Sequence, residues 1–365
     1  MQNVLTNGYR VMKLSSFTTL FLFLSLLSGG SALAFETDQY NLPPIPLADI
    51  GDEVSERVEA ELIDTIRYAN AAIERSLKCI ELKAKGCQSA EKERAKLASL
   101  RSPDAIAKAI YFRLGDGDLI TTKFGNWMRS HKFQAQPDRF KPGYGESIFK
   151  LHLSDYLTMS ATVKMFGAEF GIDKLEHFFQ QGHKYYQIEK ETREKGAAPN
   201  EAARKAIDWG KRTERTYFGL WISGVYSNAD LYANYAGMKF FQGLTRAVEV
   251  NGKTRPASLA LVDGRWTIAD GNLRANLLKP FMTNHMNEAL NPSAFRLTLV
   301  RSVRRAVKKH ACPDWRTAYP QLTRSAISDR SRALELWNGV DYGFTKKERI
   351  VSIADACFEE AAPAD

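Results

Sequence analysis

The chain contains no H-E-x-x-H, no G-x-S-x-G, no phosphate loop and no dinucleotide fingerprint. Those absences remove the short-motif routes to a zinc protease, an α/β-hydrolase, a P-loop NTPase or a Rossmann enzyme. Cysteine is scarce, with four residues in 365, and none form a C-x-x-C pair. Internal repeats and low-complexity tails are also missing, which argues against a solenoid. Only one apolar run stands out, FTTLFLFLSLL at 17–27, and it is too short for an ordinary transmembrane helix.

That run sits in an informative context. Arg10 and Lys13 precede it, and SGGSALA follows, ending in Ala32-Leu33-Ala34. A basic start, a short apolar centre and a small-residue cleavage site predict a secretory signal over 1–34, with Met12 as an alternative start. The expected mature chain begins at Phe35, lacks a transmembrane segment and is periplasmic or secreted. Losing Arg10 and Lys13 takes the formal charge from +9 to +7. A basic exported protein favours an anionic envelope polymer, an anionic lipid or a partner protein, and export argues against nucleic acid.

In an oxidising compartment the cysteines pair as disulfides. The expected pairs are Cys79–Cys87 and Cys312–Cys357. The first cannot lie on one unbroken helix. Eight residues rise about 12 Å in a helix, whereas a bridge needs Cα atoms within about 7 Å. Gly86 offers the place to turn back.

Residues 35–50 hold three prolines and no helical period, and predict an extended arm or linker. A mainly α domain is expected over 51–365. Val54, Val58, Leu62, Ile66, Ile73, Leu77 and Ile80 share one face of a long first helix. Further helices are predicted over 89–100, from Ser102-Pro103, over 119–130, from Pro199 as a surface helix, and over about 228–246. Residues 131–148 predict a loop, and 149–170 an extended stretch. Asp263-Gly264 within SLALVDGRWTIA predicts a small β-hairpin near 258–269.

Two stretches concentrate chemistry. The first is GIDKLEHFFQQGHKYY, 171–186. On a helical wheel Asp173, His177, Gln180 and Lys184 share a side, flanked by Glu176 and His183. Leu175, Phe178, Phe179, Gly182, Tyr185 and Tyr186 lie opposite. This predicts a solvated polar face. Asp173 as N-cap with Glu176 at N3 forms a capping box, and both acids suit the helix dipole. The second stretch is GVYSNADLYANYAGMKFF, 224–241, with Ser227 as N-cap and Asp230 at N3. Here Asp230 and Asn234 fall on the interior side, so they need buried partners. Lys174 and His177 have suitable chemistry. The Asp230 carboxylate is also expected to engage backbone at the helix start.

Other candidates are weaker. RLTLVRSVRRAVKKH, 296–310, holds six Arg or Lys and no acid, including Arg304 and Arg305. It fits either an anion-binding patch or a solvated helix face. His285 and Glu288 would lie one helical turn apart, although Asn291-Pro292 suggests a plain helix end. Through DKLEHFFQQGHKYY, SNADLYANYAGMKF and NEALNPS, the middle half of the chain resembles a family of uncharacterised secreted bacterial proteins. That resemblance implies a location and no established activity. The D-K-x-x-H element is similar to one in VanZ-like membrane proteins, whose membrane helices this chain lacks.

Two functional expectations follow. One is a non-enzymatic envelope protein that binds an anionic component or a partner through Asn234, Gln180, His183, Arg304 and Arg305. The other is a hydrolase, metal-assisted in one version, with His177 as base or ligand, Asp230 orienting it and Asp173 beside it as a possible ligand. The sequence singles out no particular metal or cofactor.

Overall fold

The computed structural model describes residues 36–82, 86–117, 121–151, 153–343 and 349–358. The predicted signal segment and Phe35 lie outside the described residues. The protein is mainly α, with strands only in short antiparallel pairs among the described residues. The helices in chain order are α1 Gly51–Leu82, α2 Ala90–Leu100, α3 Pro103–Leu114, α4 Lys123–Ser130, α5 Leu153–Thr158, α6 Ile172–Glu194, α7 Pro199–Glu214 and α8 Asn228–Gly243. After these come α9 Leu273–Leu277, α10 Leu297–Ala306, α11 Cys312–Ala318, α12 Arg324–Ala333 and α13 Ile353–Cys357. A π-helical turn, Val307–Ala311, joins α10 to α11.

Hairpin β1 Thr162–Met165 and β2 Ala168–Gly171 leads directly into α6. Strands β3 Val225–Tyr226 and β8 Ala294–Phe295 pair just before α8 and α10. The pairs β4 Val248–Val250 with β5 Lys253–Arg255 and β6 Leu259–Val262 with β7 Arg265–Ile268 follow α8, and β6–β7 is the hairpin expected around Asp263-Gly264. Asp263 and Gly264 both take positive φ there, as a tight two-residue turn requires. Strands β9 Leu336–Trp337 and β10 Val340–Asp341 pair near the C-terminus.

The local rules that build these helices are visible. Ser102, Thr122 and Ser227 accept hydrogen bonds from N–H groups in the first turns of α3, α4 and α8. On α1, Val54, Val58, Leu62 and Ile73 are buried, whereas Leu77 is exposed near the C-terminal end of the helix. The stretch expected to be extended, 149–170, splits into α5 and the β1–β2 hairpin. The charge-rich helix α7 is amphipathic rather than wholly a surface element. Its Ala202, Ala206, Ile207, Gly210 and Glu214 are buried.

The main core is built on α1, α3, α6 and α8, and a second apolar cluster gathers α10, α11, α13 and the arm residue Tyr40. Helices α6 and α8 meet backbone to backbone. A Cβ added at Gly182 would lie 2.6 Å from Gly237 Cα, and one at Gly237 would lie 2.0 Å from Phe178 O. Only glycine permits that approach. It is what brings the first turns of the two helices within side-chain reach.

Both expected disulfides are formed. Cys79–Cys87 has a Cα–Cα distance of 5.5 Å and Cys312–Cys357 one of 4.9 Å. No helix among the described residues is long and apolar enough to cross a membrane. The arm lacks regular structure, as expected, but is no loose linker: Glu36 to Asn41 are buried. Thr37 bridges to Ser160 and Asp49 to Lys164, which lays the arm along the β1 end of the molecule.

Candidate functional site

The residues after Gly171 start α6 with unusual partners. Gly171 is the N-cap and supplies no side chain. The Ile172 and Asp173 N–H groups donate to Ala161 O and Ser160 Oγ. Asp173 is therefore not the cap. It is buried, accepts from Thr37 Oγ1 at 2.5 Å and pairs with Lys174 Nζ at 2.7 Å. Glu176 does not close a capping box either. It is buried against α4, accepting from the Thr122 N–H and bridging to Arg129. The expected solvated face fails in the first turn, where Asp173 and Glu176 are buried, and recovers along the helix through half-buried His177 and Gln180 to exposed Lys184. The arm and the β1–β2 hairpin close over its start, and α4 covers the Glu176 side.

Lys174 is 0% exposed. Its ammonium group contacts Asp173, Asp230 at 2.5 Å and Glu288 at 2.5 Å. Two further buried acids complete the cluster, Glu36 from the arm and Glu214 from the end of α7. Ligand atoms of Glu36, Glu214 and Asp230 lie within 4.8 Å of one another. Five carboxylates thus share the interior with one lysine, and a histidine stands at the edge.

Each acid is positioned by a different element. Glu288 follows a 3-10 turn, Asn284–Met286, and accepts from Ser227 Oγ at 2.6 Å and from Ser293 Oγ, while its own N–H donates to Gln39 Oε1. Glu36 accepts from Ser223 Oγ at 2.7 Å, and Glu214 from the Ser227 N–H at 3.0 Å. Ser227 also caps α8 through the Asp230 N–H at 3.0 Å. The Asp230 carboxylate, expected to turn back to the helix backbone, reaches Lys174 instead. An ammonium group outcompetes a backbone N–H for a buried carboxylate.

The electrostatics follow from burial. Burial raises the pKa of Glu36 and Glu214 well above the ordinary carboxylate range, and neighbouring carboxylates, Asp230 foremost, push the same way. Glu288 is also raised by burial, against the opposing pull of Lys174. Burial alone would raise Asp230 too, but His177 and Lys174 more than offset it and hold the group below its usual value. For Lys174 burial opposes the charged form. The surrounding carboxylates win, and its pKa lies well above that of an ordinary lysine.

His177 is half-buried, with 21% of its side chain exposed. Nδ1 lies 3.1 Å from Asn234 Oδ1, and Nε2 lies 3.5 Å from Asp230 Oδ2. Protonated on both nitrogens, the ring offers Nδ1–H to Asn234 and faces Asp230 with Nε2–H, the cationic form that favours the Asp230 carboxylate. Were a cation to replace the Nε2 proton, the ring would be a ligand whose other nitrogen is held by a carbonyl. Asp173, one turn earlier on α6, is turned to Lys174 and Thr37, so the i, i+4 pairing of Asp173 with His177 is not the ligand geometry.

The other candidates lie elsewhere. Gln180 and His183 line a separate cleft of about 820 Å³ with Tyr111, Trp209, Tyr217 and Phe218. His183 is buried, not on a polar stripe. It stacks on Tyr111 at 4.4 Å and packs edge-on against Phe241, and burial pushes its pKa down to about 4. His285 contacts Thr283 and stacks on Tyr232, so it does not pair with Glu288. Arg304 and Arg305 are exposed on α10, outside the cluster.

Three members of the cluster carry signals of uneven strength. Glu214 extends the small-residue stripe Ala202, Ala206, Gly210 at steps of four, which places it on the buried face of α7. Glu288 sits in NEALNPS but reads there as a partner for His285. Glu36 lies in the aperiodic arm, where no periodicity reports burial. No protein family, curated protein or solved structure matches the chain.

Proposed function

We propose that the buried cluster is a hydrolytic centre assisted by a divalent cation, in an exported protein that works as one domain. The reading is carried by the surplus of buried carboxyl groups over cationic side chains. Lys174 answers Asp173, Asp230 and Glu288. Glu36 and Glu214 form no ion pair among the described residues, feel Lys174 only at longer range, and each accepts from one hydrogen-bond donor there. Burial favours the protonated form of both, and a bound divalent cation would displace those protons and supply the charge that lets all the carboxylates ionise.

Carboxylate oxygens from Glu36, Glu214 and Asp230 suit a hard cation such as Mg2+, Mn2+ or Ca2+, and His177 Nε2 offers a borderline nitrogen ligand beside Asp230. A cation held there would lower the pKa of a bound water. His177 gives the cluster its exposed edge, through which a substrate would arrive. Two formed disulfides agree with export, and periplasmic residence and the resemblance to secreted bacterial proteins belong to the same proposal.

The test is calorimetric titration of chelator-treated protein with Mn2+ and Ca2+. One equivalent should bind the wild type, and E214Q and H177A should weaken binding at least about tenfold. Absence of binding by the wild type at millimolar metal would refute the cation site.

A further inference from the structure

Helix α10 and the π turn after it present two opposite faces. Val300, Val303, Ala306 and Val307 are buried in the second apolar cluster. Leu297, Arg301, Arg304, Arg305 and Lys308 are all exposed. Their spacing of four, three, one and three residues places them on one side of a helix. Lys309 is exposed as well.

This face has little internal compensation. Arg304 donates to Ile350 O and lies within electrostatic reach of Asp355, which is itself paired with Arg324. No ion pair joins Arg301, Arg305, Lys308 or Lys309 to an acid among the described residues. Glu146 and Lys150 are the other charges near His310, at the end of the stripe. A merely solvated helix face mixes signs, because like charges one turn apart destabilise the helix. Here Arg301 and Arg305, and Arg304 and Lys308, are such pairs. Among the described residues the stripe lacks a matching set of acids, and an external anion would supply the counter-charge.

Exposed leucines occur at the start of the stripe and in the segment that follows Lys150, which lies within electrostatic reach of His310. Leu297, at the start of the stripe, is 62% exposed. Lys150, near His310, is followed by Leu151, Leu153 and Leu157, which are 53%, 56% and 66% exposed. A soluble polyanion gains nothing from leucines, whereas a bilayer interface accepts both groups at once, cations at the phosphates and apolar side chains below them. Arginine adds forked hydrogen bonding to phosphate oxygens.

We propose that the basic face of α10 docks the protein peripherally on an anionic phospholipid surface, with Leu297 and the leucines of 151–157 entering the interfacial layer. The site is separate from the carboxylate cluster and independent of the cation reading.

The experiment is flotation of the mature full-length chain with vesicles of phosphatidylcholine alone or with about one-third phosphatidylglycerol, at low and high salt. The wild type should float only with the anionic vesicles and be released by salt. R301Q/R305Q/K308Q should lose about a hundredfold in partitioning, roughly fivefold per cation removed. L153S/L157S should weaken binding at constant charge, and all these positions are at the surface, so melting curves should match the wild type. Equal binding to neutral vesicles, no binding to anionic ones at low salt, or an unaffected triple variant would overturn the proposal. Tight binding to soluble polyphosphate that is insensitive to L153S/L157S would also overturn it, in favour of a polymer ligand.

Discussion

Replacing Lys174 with Met removes the ammonium group that contacts Asp173, Asp230 and Glu288. The stranded negative charge cannot reach water, so the folded variant relieves it by taking up a proton. With an ordinary glutamate pKa of about 4.3, binding that proton at pH 7 costs about 4 kcal/mol, and at pH 5 about 1 kcal/mol. The first figure agrees with the roughly 3–5 kcal/mol seen when one partner of a buried ion pair is deleted. The sign follows from linkage. The variant's folded state binds one more proton than the wild type's, so the stability gap between them widens as pH rises from about 4.3. Urea denaturation of both proteins at half-unit steps between pH 5 and 8 measures that gap, and other titrating groups cancel in the difference. A loss below about 1 kcal/mol at pH 7, or a gap that stays constant across the range, would refute the reasoning. Should K174M fail to fold at pH 7, recovery of its folded baseline at pH 5 is the same result read differently.

His183 makes the opposite pH prediction. Its pKa is depressed to about 4 by burial, so the unfolded chain gains a proton first and stability falls as pH drops from about 6.5 to about 4. H183F keeps the ring stack and should abolish that fall, worth up to about 3 kcal/mol at about 1.4 kcal/mol per unit; an unchanged slope would place the titration elsewhere. Gly237→Ala should destabilise by about 1–3 kcal/mol through overpacking against Phe178 O, despite the roughly 1 kcal/mol helix-propensity gain. A variant more stable than wild type in thermal melts would show that the helices can separate at no cost. Replacing Cys312 and Cys357 with Ser should cost about 4 kcal/mol, because the bridge closes a sequence separation of 45 residues. The Cys79–Cys87 bridge, with a separation of 8, should cost only about 2–3 kcal/mol when removed, and similar losses for the two would count against the loop-entropy argument.

Helix periodicity, caps and turn residues were legible wherever they are local. Ser102-Pro103, Ser227 and Asp263-Gly264 mark boundaries that the structure keeps; Asp230 and Asn234 are buried as expected, but so is almost every other residue of α8, Tyr232 on the opposite side included, so its wheel did not decide the matter. The α6 wheel misled because it assumes one dry face and one wet one. Here the start of the second face is covered by the arm, a hairpin and α4, none of which leaves a mark in the 171–186 pattern. Glu36 was illegible for a related reason. An extended segment buried by distant neighbours has no repeat to betray it, so a glutamate there looks the same as one in solvent.

The threading of the arm through the centre has a consequence for how the molecule is made. Thr37 bonds Asp173 across 136 positions, Gln39 bonds Glu288 across 249, and Tyr40 reaches Val351 across 311. In vectorial synthesis these residues emerge well before their partners, and Glu288 and Val351 arrive late. The arm must wait in water until almost the whole chain is available, and closing such long loops makes folding slow. Its docking is then a closing step, and Glu36 joins the centre only when that step is complete. A chain that ends before Glu288 lacks one of the five acids and the partner of Gln39, so the cluster cannot be completed until that part of the sequence has been made.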